Sequence, residues 1–255
     1  MKTVFYRNEL LDRAFINPSD AVDPIPGFPK ICVSTYSRKI IEKFASLDGV
    51  QIIAHLYTAN GCTPIYKISY RGREIAFYMS LVGAPACVCG FEETAAMGAE
   101  KFVFFGCCGV LDDKAVENRL IVPTGAVRDE GTSYHYLLPS EEIQPDSHST
   151  DILKSCMEKC GYPYVCGRIW TTDSIYRETP QEIAAWRDSG CIGVEMEYSA
   201  LLAAARFRGL PLIQFFYGAD NLDCPTWQPR DLTDWGLYGA EKYMALAFEI
   251  GRAHV

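Results

Sequence analysis

Histidine is scarce in this chain: four residues in 255, scattered at positions 55, 135, 148 and 254. Eleven cysteines are present, yet no two stand in a C-x-x-C spacing. Without clustered soft ligands, no structural zinc site, and no metal of any kind, is expected. An odd cysteine count in a chain of this length predicts reduced thiols rather than a disulfide framework. Positive charge is short as well, with 24 Lys and Arg against 32 Asp and Glu, a net charge of −8. That balance argues against a nucleic-acid backbone as the main partner, because such binding needs clustered cations. It leaves room for a local basic pocket that takes one small anion. Long apolar runs are also missing. The uncharged run 75–91 is interrupted by Gly83, Pro85 and Gly90 and is too short to span a bilayer. The opening residues, MKTVFYRNELLDRAF, mix both signs of charge and lack the apolar core of a secretory signal. A cytoplasmic protein without membrane contact is the expectation.

What is present is an ordinary globular balance, 49% hydrophobic and 22% charged. One domain over residues 1–255 is expected, with a polar, proline-bearing arm at 1–29. Short apolar runs at 31–33, 74–81, 101–105, 120–123, 165–171, 190–195 and 212–217 predict strands. Several are apolar on both faces, as in a sheet covered by helices on each side. Helical patterns fall between them, at 38–47, 86–97, 150–160, 180–188, 197–208 and 234–252. This alternation predicts an α/β fold with a largely parallel sheet. Ligands of such sheets bind beyond the carboxyl ends of the strands.

Several strand ends carry residues with chemistry. The run KFVFFGCCGVL (101–111) leads into Gly106-Cys107-Cys108-Gly109, where glycine serves either a strand exit or the close approach of a ligand. The stretch 124–139 is rich in turn formers and places His135 between two tyrosines, a weak candidate. At Thr171-Thr172-Asp173 a strand ends, and Asp173 either caps the next turn or faces a pocket with Tyr176 and Arg177. Thr179-Pro180-Gln181-Glu182 reads as a helix start, with a Thr cap, Pro at the first position and an acid in the first turn. Asp220 follows Gly218 at the end of the 212–217 strand, beside the same crevice or in a simple turn.

The sharpest signal is Val194-Glu195-Met196-Glu197, two acids around a methionine between two apolar stretches. Acids favour helix N-termini by about 0.3–1 kcal/mol, which accounts for one exposed glutamate and not for this pair. A carboxylate accepts two hydroxyl protons at once, the demand of a vicinal diol, and a methionine can pack beneath a sugar ring.

Together these segments resemble the nucleoside phosphorylase family, which embraces uridine phosphorylase, hexameric-type purine nucleoside phosphorylase and methylthioadenosine nucleosidase. The likeness runs over roughly residues 30–225. It rests on Gly106-Cys107-Cys108-Gly109, Arg128-Asp129-Glu130-Gly131-Thr132-Ser133, Thr171-Thr172-Asp173 and, above all, Gly193-Val194-Glu195-Met196-Glu197. The resemblance implies a three-layer α/β/α fold with a mixed, partly barrel-like central sheet. It implies cleavage of a nucleoside's N-glycosidic bond with inorganic phosphate as co-substrate and no other cofactor. It assigns Glu195, Met196 and Glu197 to the ribose, Cys108, Gly109, Tyr176 and Asp220 to the base, and Ser34, Arg38 and Cys107 to phosphate. Asp220 is the implied acid for the leaving base. The uridine-acting branch reads its pyrimidine with an arginine, and none occurs between Phe215 and Pro229, so a purine is preferred. A homo-oligomer (dimer, trimer or hexamer) is implied too.

The chain departs from the family pattern at the phosphate site. The usual Pro-Gly-Asp-Pro-x-Arg loop reads Val33-Ser34-Thr35-Tyr36-Ser37-Arg38. Phe104 stands where phosphorylases carry an arginine, and Cys107 where they carry a threonine. The family's N-terminal histidine for the ribose 5′-hydroxyl has no counterpart in residues 1–54, which leaves a 5′-modified nucleoside open. Phosphorolysis, hydrolysis by water, and nucleoside binding without turnover are the three readings that follow.

Overall fold

A computed structural model describes residues 13–59, 61–230 and 241–254. A single helical turn, α1 (Pro18–Ala21), precedes strand β1 (Ile31–Thr35) and helix α2 (Arg38–Ala45). Strands β2 (Gln51–Thr58), β3 (Gly61–Tyr70) and β4 (Arg73–Met79) form an antiparallel meander. Next come α3 (Ala84–Met97), β5 (Lys101–Val110), α4 (Asp113–Val116), β6 (Leu120–Asp129), β7 (Glu142–Ile143), α5 (Ser147–Cys160) and β8 (Tyr164–Thr172). The helices and strands α6 (Pro180–Asp188), β9 (Cys191–Glu195), α7 (Tyr198–Arg208), β10 (Leu212–Asn221) and α8 (Glu241–Ala253) complete the described chain.

Two parallel groups make the sheet. One is β10, β5, β1 and β4; the other is β6, β8 and β9. They join antiparallel at two seams, β10 to β6 and β5 to β9. Because β10 also pairs with β5, strands β10, β6, β8, β9 and β5 close into a ring. The sheet is therefore mixed and barrel-like at its centre, with β1, β4, β3 and β2 extending outward from β5.

Helices cover both faces. Buried residues of α3 and α7, including Phe91, Tyr198 and Leu201, pack on one side with Phe102, Phe104 and Phe216. On the other side α2, α5 and α8 bury Ile40, Met157 and Phe248 against Val33, Phe105 and Phe215. Helix α6 starts as its sequence dictates. Thr179 Oγ1 accepts from the Glu182 N–H (3.3 Å) while Glu182 Oε2 accepts from the Thr179 N–H (3.2 Å), a reciprocal cap.

The structure differs from the sequence expectation in three places. First, Gly106–Gly109 is not a strand exit, since β5 runs on to Val110. The glycines there serve packing. A Cβ on Gly109 would lie 2.6 Å from Leu222 Cδ1 and 3.0 Å from Val194 Cγ1, so any larger residue would have to displace Leu222 and press on Val194. Second, the β2–β3 hairpin falls outside the expected strands, because its residues are mostly half-exposed and lack a clear apolar alternation. Third, β6 and β10 continue past 123 and 217, to Asp129 and Asn221. The expected helix at 234–252 is seen as α8 from Glu241; its first part lies outside the described residues, as do residues 1–12 of the expected arm. The described part of that arm docks on α3 through the Ile25 N–H to Met97 carbonyl bond (2.9 Å) and buries Phe28. All eleven cysteines are free. Among the described residues, no helix is long and apolar enough to cross a membrane.

Candidate active site

Strands β1 and β4 end level with Phe105, β5 and β10 run on to Val110 and Asn221, and β9 meets β5 beyond the end of β1. Register brings the key segments side by side: Gly218 of β10 pairs with Cys108, while Val194 of β9 pairs with Gly109. The acids that follow Val194 and Gly218 thus flank one segment of β5 from opposite sides.

Glu195 ends β9 and is buried, 7% exposed. Its Oε2 accepts from the N–H groups of Glu197 and Tyr198, both at 2.8 Å, at the start of α7. Its Oε1 accepts from Thr171 Oγ1 at 2.5 Å. Thr171 Oγ1 in turn accepts from the Ser199 N–H (3.1 Å), and Ser199 Oγ donates to Glu130 Oε1 (2.8 Å). A helix N-terminus leaves orphan N–H donors, and a carboxylate satisfies them well. Glu195 thus differs from the direct sugar ligand that was expected, since its bonds are given to the chain. It holds the first turn of α7, and through that turn it holds Glu197.

Glu197 is 5% exposed. Its Oε1 accepts from the Gly83 N–H at 2.5 Å, and the carboxyl also takes a bond from the Met196 backbone. Gly83 caps α3 with φ of +97°, a backbone that glycine adopts without strain. Burial pushes both carboxyls above the usual carboxylate range. For Glu195 the bonds from Thr171 and the α7 amides oppose the rise, whereas Glu197 is raised further by the charge of Glu195. Met196, between them, is only half-buried.

On the other side, Asp220 directs Oδ1 to within 3.4 Å of where a Cβ on Gly109 would stand, and Oδ2 accepts from the Trp227 indole N–H at 2.7 Å. Cys107 is half-buried on β5, one residue before Cys108. Its thiol is pushed up to about 11 by burial, then by the charges of Asp220 and Glu197. One thiol therefore feels both acids. A further carboxyl belongs to the group: Glu178, half-buried after the short helix Ile175–Arg177, is pushed up to about 7 by burial and by Asp220.

Other expected site residues are placed differently. The Cys108 side chain is buried, and a Cβ on Gly193 would lie 2.9 Å from its Sγ, so the thiol faces the barrel and only its main chain borders the cleft. Tyr176 is 96% exposed, at the rim. Ser34 is buried and its hydroxyl donates to the Tyr78 carbonyl at 3.0 Å, which turns it into the sheet and away from an anion. Arg38 is exposed at the first position of α2. The Tyr36 ring lies against Gly106, its Cδ2 2.8 Å from where a Cβ would be. Ser34 and Arg38 are not brought together with Cys107 as an anion cradle. His135 is exposed at the end of the short helix Thr132–His135. Asp173 accepts from the Gly131 N–H (2.9 Å) and ties the loop after β6 to the end of β8.

Sequence reasoning missed Glu178, Gly83 and Trp227. Glu178 reads as the lead-in to the Thr179 cap. Gly83 acts through its main chain, which no residue pattern announces.

Comparison with known proteins adds a family. The model of the phosphorylase superfamily matches residues 31–240. A guanosine phosphorylase of Halorubrum lacusprofundi is 30% identical over 148 residues, 57% of this chain and 61% of that protein. A DeoD-type purine nucleoside phosphorylase of Shewanella oneidensis is 29% identical over 53% of this chain and 58% of its own length. A uridine phosphorylase of Treponema pallidum is 28% identical over 50% and 54%. The chain thus spans little more than half the length of these curated relatives. Among solved structures, uridine phosphorylase from Vibrio fischeri superimposes with a TM-score of 0.73 at 22% identity, covering 91% of this chain and 94% of that one. At those identities the likeness is one of fold. A family match of that span, on a ring of strands with this topology, has one consequence: the chain belongs to the phosphorylase superfamily.

Proposed function

We propose that this protein cleaves the N-glycosidic bond of a nucleoside, preferring a purine base, with phosphate as the nucleophile. One observation carries the reading: the β9 and β10 registers set Val194 and Gly218 on opposite sides of Cys108 and Gly109, so the acids that follow, Glu195 to Glu197 and Asp220, approach one stretch of β5. Glu197 Oε2 accepts from the ribose hydroxyls, and Met196 packs on the sugar. As the bond from C1′ to nitrogen lengthens, the sugar becomes positive and the base negative. The Glu197 carboxylate stabilises the first charge. The electron pair of the broken bond stays on the base nitrogen, which takes a proton from the acids beside it. Glu178, pushed up to about 7, carries that proton over much of the neutral range and stands in electrostatic contact with Asp220. The absence of arginine between Phe215 and Pro229 supports purine over uracil, as does the guanosine phosphorylase relative. Cytoplasmic purine salvage by a homo-oligomer belongs to the same reading.

A second reading, hydrolysis, is favoured by the phosphate side. The Ser34 hydroxyl is engaged, Tyr36 covers Gly106, and the residues around Cys107 are acids rather than cations. A phosphate dianion wants cationic, bidentate donors. Incubation with inosine, guanosine, adenosine and uridine, with and without phosphate, tests both. Purine release that requires phosphate is expected. Release indifferent to phosphate selects the hydrolase, and no release from any nucleoside overturns the enzyme reading.

A further inference from the structure

Past Asp220 the chain turns back on itself. Asn221 and Gln228 form an antiparallel bridge, with Asn221 N donating to the Gln228 carbonyl (2.9 Å) and Gln228 N to the Asn221 carbonyl (3.2 Å). The loop so closed is tied down further. Asp223 accepts from Arg187 Nη1 of α6 (2.8 Å) and from the Asp113 N–H of α4 (3.1 Å). Arg230 forks onto both oxygens of Asp113 at 2.7 Å. This anchored loop presents Trp227, whose indole N–H meets Asp220 Oδ2 at 2.7 Å. The ring is 56% exposed, so core packing does not account for its presence. A large aromatic held at the surface by one polar bond is the arrangement of a recognition element. The bond also sets the carboxyl rotation. With Oδ2 held by Trp227, Oδ1 is the oxygen turned toward Gly109 of β5.

We propose that Trp227 is a positioning residue: its indole N–H holds the Asp220 carboxyl at the angle where Oδ1 meets the leaving base, and its exposed ring borders that base. The inference rests on the proposed glycosidic cleavage and adds a residue to it. A carboxyl free to rotate spends little of its time aligned, whereas one pinned by an indole N–H is pre-aligned.

The test compares the full-length wild type with Trp227→Phe and Trp227→His. In Trp227→Phe, kcat is expected to fall about ten- to hundredfold while KM stays within about threefold. The unfolding midpoint should move little, because the bond lies at the surface and water takes up the freed carboxyl. Trp227→His keeps a ring N–H donor and should recover most of the lost kcat. Free guanine added to the wild type should change tryptophan emission, and that response should be absent from Trp227→Phe. Wild-type kcat in Trp227→Phe overturns the proposal. So does a loss of kcat matched by a loss of stability, or an unrescued loss in Trp227→His. If the wild type releases no base from any nucleoside, the glycosidic reading fails by itself. The emission change then decides on Trp227: a response lost in Trp227→Phe sustains it at a base site, and an identical or absent response in both proteins overturns it.

Discussion

Glu197→Gln separates function from folding at a single atom. The substitution keeps shape and volume, and its amide oxygen can still accept the Gly83 N–H that Glu197 takes at 2.5 Å. A bound ribose that donates hydroxyls to the carboxyl favours its charged form, and that negative charge beside the sugar is what the amide removes. Preorganised groups of this kind contribute about 2.7–4 kcal/mol to the barrier, so base release should slow by about 10²–10³-fold. Stability should move the other way. The folded-state carboxyl lies above its ordinary range because it is buried and faces Glu195. Above that ordinary range the native state holds more protons than the unfolded chain, so wild-type stability falls as pH rises. A neutral amide escapes this term. Urea unfolding should therefore show a flatter pH dependence for Glu197→Gln, and at pH 9 the nearly inactive variant should be at least as stable as the wild type. Kinetics within about threefold of wild type would refute the ribose assignment. A stability profile parallel to wild type would refute the burial argument.

Three further outcomes are expected. Glu195→Ala strands three donors (the Thr171 hydroxyl and the Glu197 and Tyr198 amides), each costing about 1–3 kcal/mol if left unpaired, and should lower the urea midpoint sharply; a change under about 1 kcal/mol would contradict its role in holding α7. Gly109→Ala puts a methyl group 2.6 Å from Leu222 Cδ1 and should cost about 1–3 kcal/mol, read by thermal unfolding, with an unperturbed melt as the contrary result. Glu178 acts as an acid only while protonated, so activity should decline as pH rises through about 7; Glu178→Gln should erase that limb, and an unchanged pH–rate profile would remove Glu178 from the reaction.

Some of this was readable in one dimension. The Thr179-Pro180-x-Glu182 start of α6 is a local matter of capping, and the helix spans Pro180–Asp188 as the residues predict. Fully apolar runs such as 31–33 and 102–105 became buried strands, since apolar residues on both faces need cover on both faces. The glutamates around Met196 also announced a site, because burying a carboxylate is costly without a partner.

The division of labour between those two acids was not readable. Glu195 and Glu197 are two residues apart and chemically alike, yet one closes α7 while the other accepts from the Gly83 N–H of a distant loop. That outcome depends on where Thr171 and Gly83 stand, and both come from other strand ends. The glycines of 106–109 carried the same ambiguity, which only the ring of strands resolved by crowding Leu222 and Val194 onto Gly109. The sequence by itself determined local capping, strand burial and the presence of charged groups in apolar surroundings, which are properties of near neighbours. Tertiary structure decided which oxygens remain free, because a hydrogen bond is assigned by partners brought together from distant parts of the chain.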